Sequence, residues 1–191
     1  MKIWIDILTP KQLLFSEPMI EKLRKKHNVL CTSRSYDEVS KLAKIRNFDL
    51  VCVGKHGGHE KFGKLEASIN RIKELSVLID KFSPELAISF CSPEAARVSF
   101  GMGIRHIAFC DSPHANAVMK LTLPLIQKLL IPWIIPKKEF SKYGIDIKNI
   151  ISYRAIDASV TIKRNVNQKN PLPFKNNHKK NIIIRVEEEQ A

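Results

Sequence analysis

Short apolar runs rich in β-branched residues alternate along this chain with segments of helical period, and that alternation restricts the fold more than any other feature. It is the pattern of repeated βαβ units, so the expected class is α/β: a three-layer parallel sheet with helices on both faces. Strands are expected at 2–7, 28–32, 49–53, 85–90, 104–110 and 149–153. Helices are expected from about Ser16 to His27, from Asp37 through Ala43, from Lys64 to Phe82, from Ser92 to Gly101 and from about Lys137 to Tyr143. In the third of these, Leu65, Ile69, Ile72, Leu75, Ile79 and Phe82 recur at spacings of three and four, which predicts the buried stripe, and Pro84 stops the helix.

A chain of 191 residues suits one domain, or one domain plus a fragment. Its 44% hydrophobic residues exclude full disorder. The four cysteines, Cys31, Cys52, Cys91 and Cys110, form no CxxC pair and read as reduced thiols of a cytoplasmic protein. The first residues lack the pattern of a signal peptide, and the most apolar segment, 121–136, is broken by Pro124, Lys128 and Pro132 before it reaches spanning length. Trp4 and Trp133 read as core or interface residues.

The net charge of +13 raises nucleic-acid binding as a class. Six of the positive charges, however, fall between Lys163 and Lys180 without an acidic residue, and aromatic residues are only 7%, so no basic and aromatic surface is indicated and nucleic acid is not an expected partner. The expected organisation is a domain over 1–164, a basic linker over 165–180, and a strand within 181–191 that has no partner layer. Apolar Leu125 to Ile135 beside Lys128, Lys137 and Lys138 also suits a weak peripheral contact with an anionic membrane, although the same segment lies where the sheet needs its sixth strand.

In an open parallel sheet, ligands bind outside the carboxyl ends of the strands. Asp6, Thr9 and Pro10 follow the first strand, and Asp6 is costly there unless it finds a hydrogen-bond partner, in the protein or in a ligand. After the third strand come Gly54, Lys55, His56, Gly57 and Gly58, where glycine permits close approach of the backbone and Lys55 and His56 supply positive charge. This is neither a dinucleotide fingerprint nor a P-loop, and a plain turn reads equally well. Ser92, Pro93 and Glu94 open a helix whose free amides suit an anion, with Arg97 one turn on, and the same residues serve as a cap. Asp111, Ser112, His114 and Asn116 follow the fifth strand, where Asp111 could orient His114 for proton transfer. The histidines form no recognised metal spacing, so no metal is expected. Cys91 and Cys110 reach the same rim but read as small buried hydrophobes.

Taken together, the opening 2–7, the 54–58 loop, the run from Ser92 through Arg97 to Gly101 and Gly103, the segment 111–116, 121–124 and the terminal 185–189 resemble the family catalogued as domain of unknown function 354, over nearly the whole chain. That family is similar to the GT-B superfamily, in which two Rossmann-like domains face each other across a cleft, as in UDP-N-acetylglucosamine 2-epimerase and the peptidoglycan N-acetylglucosaminyltransferase. The resemblance implies the amino-terminal domain of a GT-B-like fold, a nucleotide-sugar substrate of UDP type, an unidentified acceptor and no cofactor. It also implies a proton-transfer role for Glu94 and Asp111, with His114 close by. Substrate-binding roles then fall to Asp6, Thr9, Pro10, Lys55, His56, Gly57, Gly58, Ser92, Arg97, Ser112 and Asn116. Family members continue into a whole second domain, so the last strand here is expected to open that domain, and a second domain or a homodimer partner is expected to complete the cleft.

Overall fold

The computed structural model describes residues 1–35, 37–162 and 184. Seven parallel strands form one sheet in the order β3-β2-β1-β4-β5-β6-β7, with β1 at Lys2–Asp6, β2 at Asn28–Ser35, β3 at Val51–Lys55, β4 at Leu86–Ser89, β5 at Arg105–Phe109, β6 at Lys128–Pro132 and β7 at Ile150–Tyr153. The order reverses between β1 and β4, which is the switch point of a doubly wound sheet and the place where a crevice opens above the strand ends.

Strand alternation assigns the two faces. Ile3 and Ile5 of β1 pack with Leu13 and Ile20 of α1 (Pro10–Arg24) and with Val39 and Ala43 of α2 (Asp37–Ile45). Trp4, between them, points the other way, onto Leu75 and Ile79 of α3 (Lys61–Phe82) and Ala95 and Val98 of α4 (Pro93–Gly101). A third cluster joins Ala96 of α4 and Met119 of α5 (Asn116–Thr122) to Leu129 and Ile131 of β6 and to Phe140 of α6 (Lys138–Ser141). The short helix α7 (Ala158–Ile162) packs on α1.

Several sequence expectations shift. Helix α1 begins at Pro10, six residues before Ser16, because the Thr9 hydroxyl caps the Gln12 amide at 3.3 Å and Pro10 occupies the first turn. Pro18 therefore lies inside the helix, where it forgoes one helical hydrogen bond. Helix α3 starts at Lys61, and its buried stripe is Ala67, Arg71, Leu75 and Ile79, whereas Leu65 and Ile69 stand 59% and 57% exposed. The stripe follows an i, i+4 row with a cation in it, a row that an apolar count passes over. Strand β3 extends to Lys55, so the loop proper begins at His56.

The segment 125–135 supplies β6, paired with β5 and β7, and is thus an inner strand of the sheet. Beyond it Trp133 is 60% exposed, which excludes it from the core, while Trp4 is fully buried. Among the described residues no helix is long and apolar enough to cross a membrane. The expected linker over 165–180 lies outside the described residues, as does the expected last strand apart from Ile184.

Candidate functional site

The crevice at the switch point is organised by a buried ion pair. Asp6 ends β1 on the α3 face and Arg71 reaches up from α3, with side chains 0% and 2% exposed. Arg71 donates to the Asp6 carboxylate twice, at 2.6 and 3.2 Å, and to the Val53 carbonyl at 3.0 Å. The Trp4 indole donates to the Thr32 hydroxyl, which in turn donates to Asp6, both at 2.7 Å. Burial alone would lower the Arg71 pKa, but the Asp6 charge and hydrogen bonds outweigh it and hold the guanidinium charged. Gly54 is glycine for this reason: its φ is +71°, and a Cβ there would lie 2.9 Å from the Arg71 stem.

Above this pair sits Glu94, whose carboxylate lies 3.5 Å from Arg71 and 3.4 Å from the Ser92 hydroxyl. Ser92 is the N-cap of α4, as its sequence suggests, accepting from the Ala95 amide at 3.2 Å. The Ser89 hydroxyl accepts from the Ser92 amide and hydrogen-bonds the fully buried His106 at 2.9 Å. Burial pushes the His106 pKa down to about 4, so the ring is neutral at pH 7.

On the other side of α4, Asp111 follows β5. It takes hydrogen bonds from Lys11 of α1 and from the Ser112 hydroxyl, so the expected pairing with His114 is not formed. Asp157, just before α7, lies 3.8 Å from the same Lys11 ammonium and accepts from the Tyr153 hydroxyl. Burial opposes ionisation of both carboxyls. At Asp111 the hydrogen bonds and charge of Lys11, with the Ser112 bond, outweigh it and hold the pKa below the usual range. At Asp157 burial wins, aided by the Asp111 charge, and raises the pKa. Cys91 and Cys110 are buried beneath as free thiols, and the Cys110 thiol donates to the Met119 sulfur at 3.9 Å. The neighbouring Cys110 and burial push the Cys91 thiol up.

Two cavities open on this rim, of about 350 and 360 Å³, and both are lined by Arg34, Pro93, Glu94 and Val118. The first also holds Lys55, His56 and Gly57, and the second Thr9, Asp111 and Ser112. Ten of the expected site residues thus gather at the crevice, counting Asp6 and Ser92 beneath it and Pro10 behind Thr9. Gly58, with φ +72°, turns the loop outside the cavities and donates its amide to His56 Nδ1 at 3.1 Å. Asn116 is taken up by the Tyr143 hydroxyl, and His114 is exposed outside both cavities. Arg97 lies in a groove between α3 and α4 with Ile69 and Met102, away from the rim, because five residues past Ser92 turn it roughly 140° further round the helix axis. Arg34, Lys11, Arg71 and Asp157 went unselected. None of the four carries a local sequence signal, since each is placed by a partner distant in the chain or by the sheet order. Among the described residues no group of three or more His, Cys, Asp or Glu could hold a metal ion.

The profile of a family described as a protein of unknown function, DUF354, matches residues 1–191. An uncharacterised protein of Methanocaldococcus jannaschii is 34% identical over 152 residues, which cover 79% of this chain and 44% of the relative. Among solved structures, the UDP-GlcNAc 2-epimerase of Neisseria meningitidis bound to UDP-GlcNAc is similar with a TM-score of 0.63 at 16% identity, over 80% of this chain and 46% of that one. A glycosyltransferase of Streptomyces sp. SF2575 is similar with a TM-score of 0.55 at 14% identity, over 69% and 50%. The chain therefore has the Rossmann-like fold of the first half of GT-B epimerases and glycosyltransferases, and it spans about half the length of the proteins it matches.

Proposed function

The chain belongs to the DUF354 family, and from that premise we propose that it forms the amino-terminal half of a nucleotide-sugar enzyme of the glycosyltransferase or 2-epimerase type. One observation carries the reading: Glu94, in the first turn of α4, and Asp111, just past β5, line the same cavity at the switch point of the sheet. The epimerase with UDP-GlcNAc bound, whose fold the chain shares, supports a UDP-sugar as the ligand class.

In this reading Asp111 is the proton acceptor, since Lys11 and Ser112 hold it ionised at neutral pH. Burial and the Asp111 charge push the Asp157 pKa the opposite way, and such a separation of two neighbouring carboxyls is what acid and base roles require. Glu94 faces the reacting group from α4, positioned by Arg71 and Ser92. His114 is left as a solvent-side group that a ligand could recruit. The acceptor, where there is one, would enter from above the rim, where a second domain or a second copy would complete the cleft. The reading invokes no cofactor.

The test is a titration of UDP-GlcNAc against the isotopically labelled chain, followed by amide shifts at Ser112 and Ala95, and by UDP release and deuterium uptake at the sugar in D2O. Binding is expected at millimolar nucleotide sugar or below, with any turnover reduced about 10²- to 10⁴-fold in Asp111→Asn. No response to any nucleotide sugar at millimolar concentration overturns the proposal.

A further inference from the structure

The two rim cavities share one wall but differ in charge. The second sets the carboxylates of Asp111 and Glu94 against the cations Lys11 and Arg34. The first gathers Arg34 from β2, Lys55 and His56 from the end of β3 and its loop, and Lys64 from α3. Neither Lys55 nor Lys64 makes an ion pair among the described residues. The convergence of charge is felt at His56, whose pKa is lowered first by burial and then by the positive charges of Arg34, His59 and Lys64. The negative group on this wall is Glu94, and Arg71 stands 3.5 Å behind it. The apolar part of the lining is Ala117, Val118 and Leu121 of α5 with Leu65 of α3, and Leu65 and Leu121 are each 59% exposed.

A cation-lined pocket with one apolar wall fits an anion attached to a less polar group. The loop geometry serves the same end. Gly57 lies so close to the start of α3 that a Cβ would be 2.5 Å from the Gly63 carbonyl and 2.6 Å from the Lys64 Cα, an approach that brings the His56 loop against Lys64. We propose that the pocket of Arg34, Lys55, His56 and Lys64 binds the phosphate of a phosphate ester and directs the group it bears along the groove, past Glu94, to Asp111. The direction of the ligand rests on the proposed function, whereas the phosphate site itself does not. A phosphate of this kind belongs either to the nucleotide or to a phosphorylated acceptor carrying an apolar chain.

Histidine C–H resonances of the whole chain report the site directly. His56 is titrated between pH 4 and 9 at low salt, alone and with inorganic phosphate, butyl phosphate or UDP. A bound dianion replaces repulsion with attraction, so the His56 pKa is expected to rise by about one unit, equivalent to about tenfold tighter anion binding to the protonated ring. Lys55→Gln with Lys64→Gln, both at exposed positions, should abolish the rise while leaving the remaining spectrum in place. Tighter butyl phosphate than UDP assigns the site to a phosphorylated apolar ligand, and the reverse assigns it to the nucleotide. A His56 pKa unmoved by all three, or a rise unchanged in the double variant, overturns the proposal. If UDP-GlcNAc then shifts Ser112 with His56 silent, the enzyme reading stands alone. If phosphate moves His56 while no nucleotide sugar touches Ser112, the pocket stands and the enzyme reading falls.

Discussion

Replacing Arg71 by methionine removes the central cation of the crevice while keeping most of its length. The guanidinium makes two hydrogen bonds to Asp6, one to the Val53 carbonyl, and a longer one to Glu94. In the variant Asp6, with a side chain 0% exposed, retains only the Thr32 hydroxyl, and the Val53 carbonyl loses its side-chain donor. Breaking one side of a buried ion pair costs about 3–5 kcal/mol, against a total stability of about 5–15 kcal/mol for a domain. Arg71→Met should therefore lower the urea midpoint sharply at unchanged m-value. Removing both charges, Asp6→Leu with Arg71→Met, replaces the pair by apolar groups and should recover much of that loss. A double-mutant cycle is thus expected to show a coupling of about 2 kcal/mol or more. A loss below about 1 kcal/mol in Arg71→Met, or single-variant losses that simply add, would refute the view that this pair organises the crevice.

Acid stability gives a second prediction. His106 is held neutral with a pKa of about 4 against 6.5 for the ordinary side chain, so between these values the unfolded chain binds more protons. Stability is expected to be fully present above pH 6.5 and to fall by about 3 kcal/mol as the pH drops to 4. His106→Gln should flatten that slope in urea melts at pH 7, 5 and 4, and an unchanged slope would place the acid sensitivity elsewhere. Gly57→Ala puts a Cβ 2.5 Å from the Gly63 carbonyl and 2.6 Å from the Lys64 Cα, backbone atoms that cannot swing aside. It should cost about 1–3 kcal/mol and weaken the phosphate response of His56, and a variant of unchanged stability would mean that the loop is free to rearrange.

What the sequence disclosed and what it concealed divide along one physical line. The strands, the Ser92 cap and the carboxylate at the end of β1 are signalled by neighbouring residues, through apolar runs, cap chemistry and a charge where a charge is costly. Even the early start of α1 had such a signal in Thr9 and Pro10, but Pro18 has the same preference for a first turn, and local chemistry alone could not rank the two. Arg71 has no local signature. In isolation it is a cation on a long helix, and only Asp6, 65 residues away, turns its position into the buried one, displacing Leu65 and Ile69 toward solvent. Lys11 acquires its meaning from Asp111, 100 residues on, and from Asp157 beyond it. Charged side chains are therefore the hardest site residues to read from a chain of this class. Burial of an apolar residue is favourable wherever it happens, so its pattern accumulates locally. A buried charge is tolerated only opposite a particular partner, and the sheet order, not the neighbouring sequence, decides which partner that is.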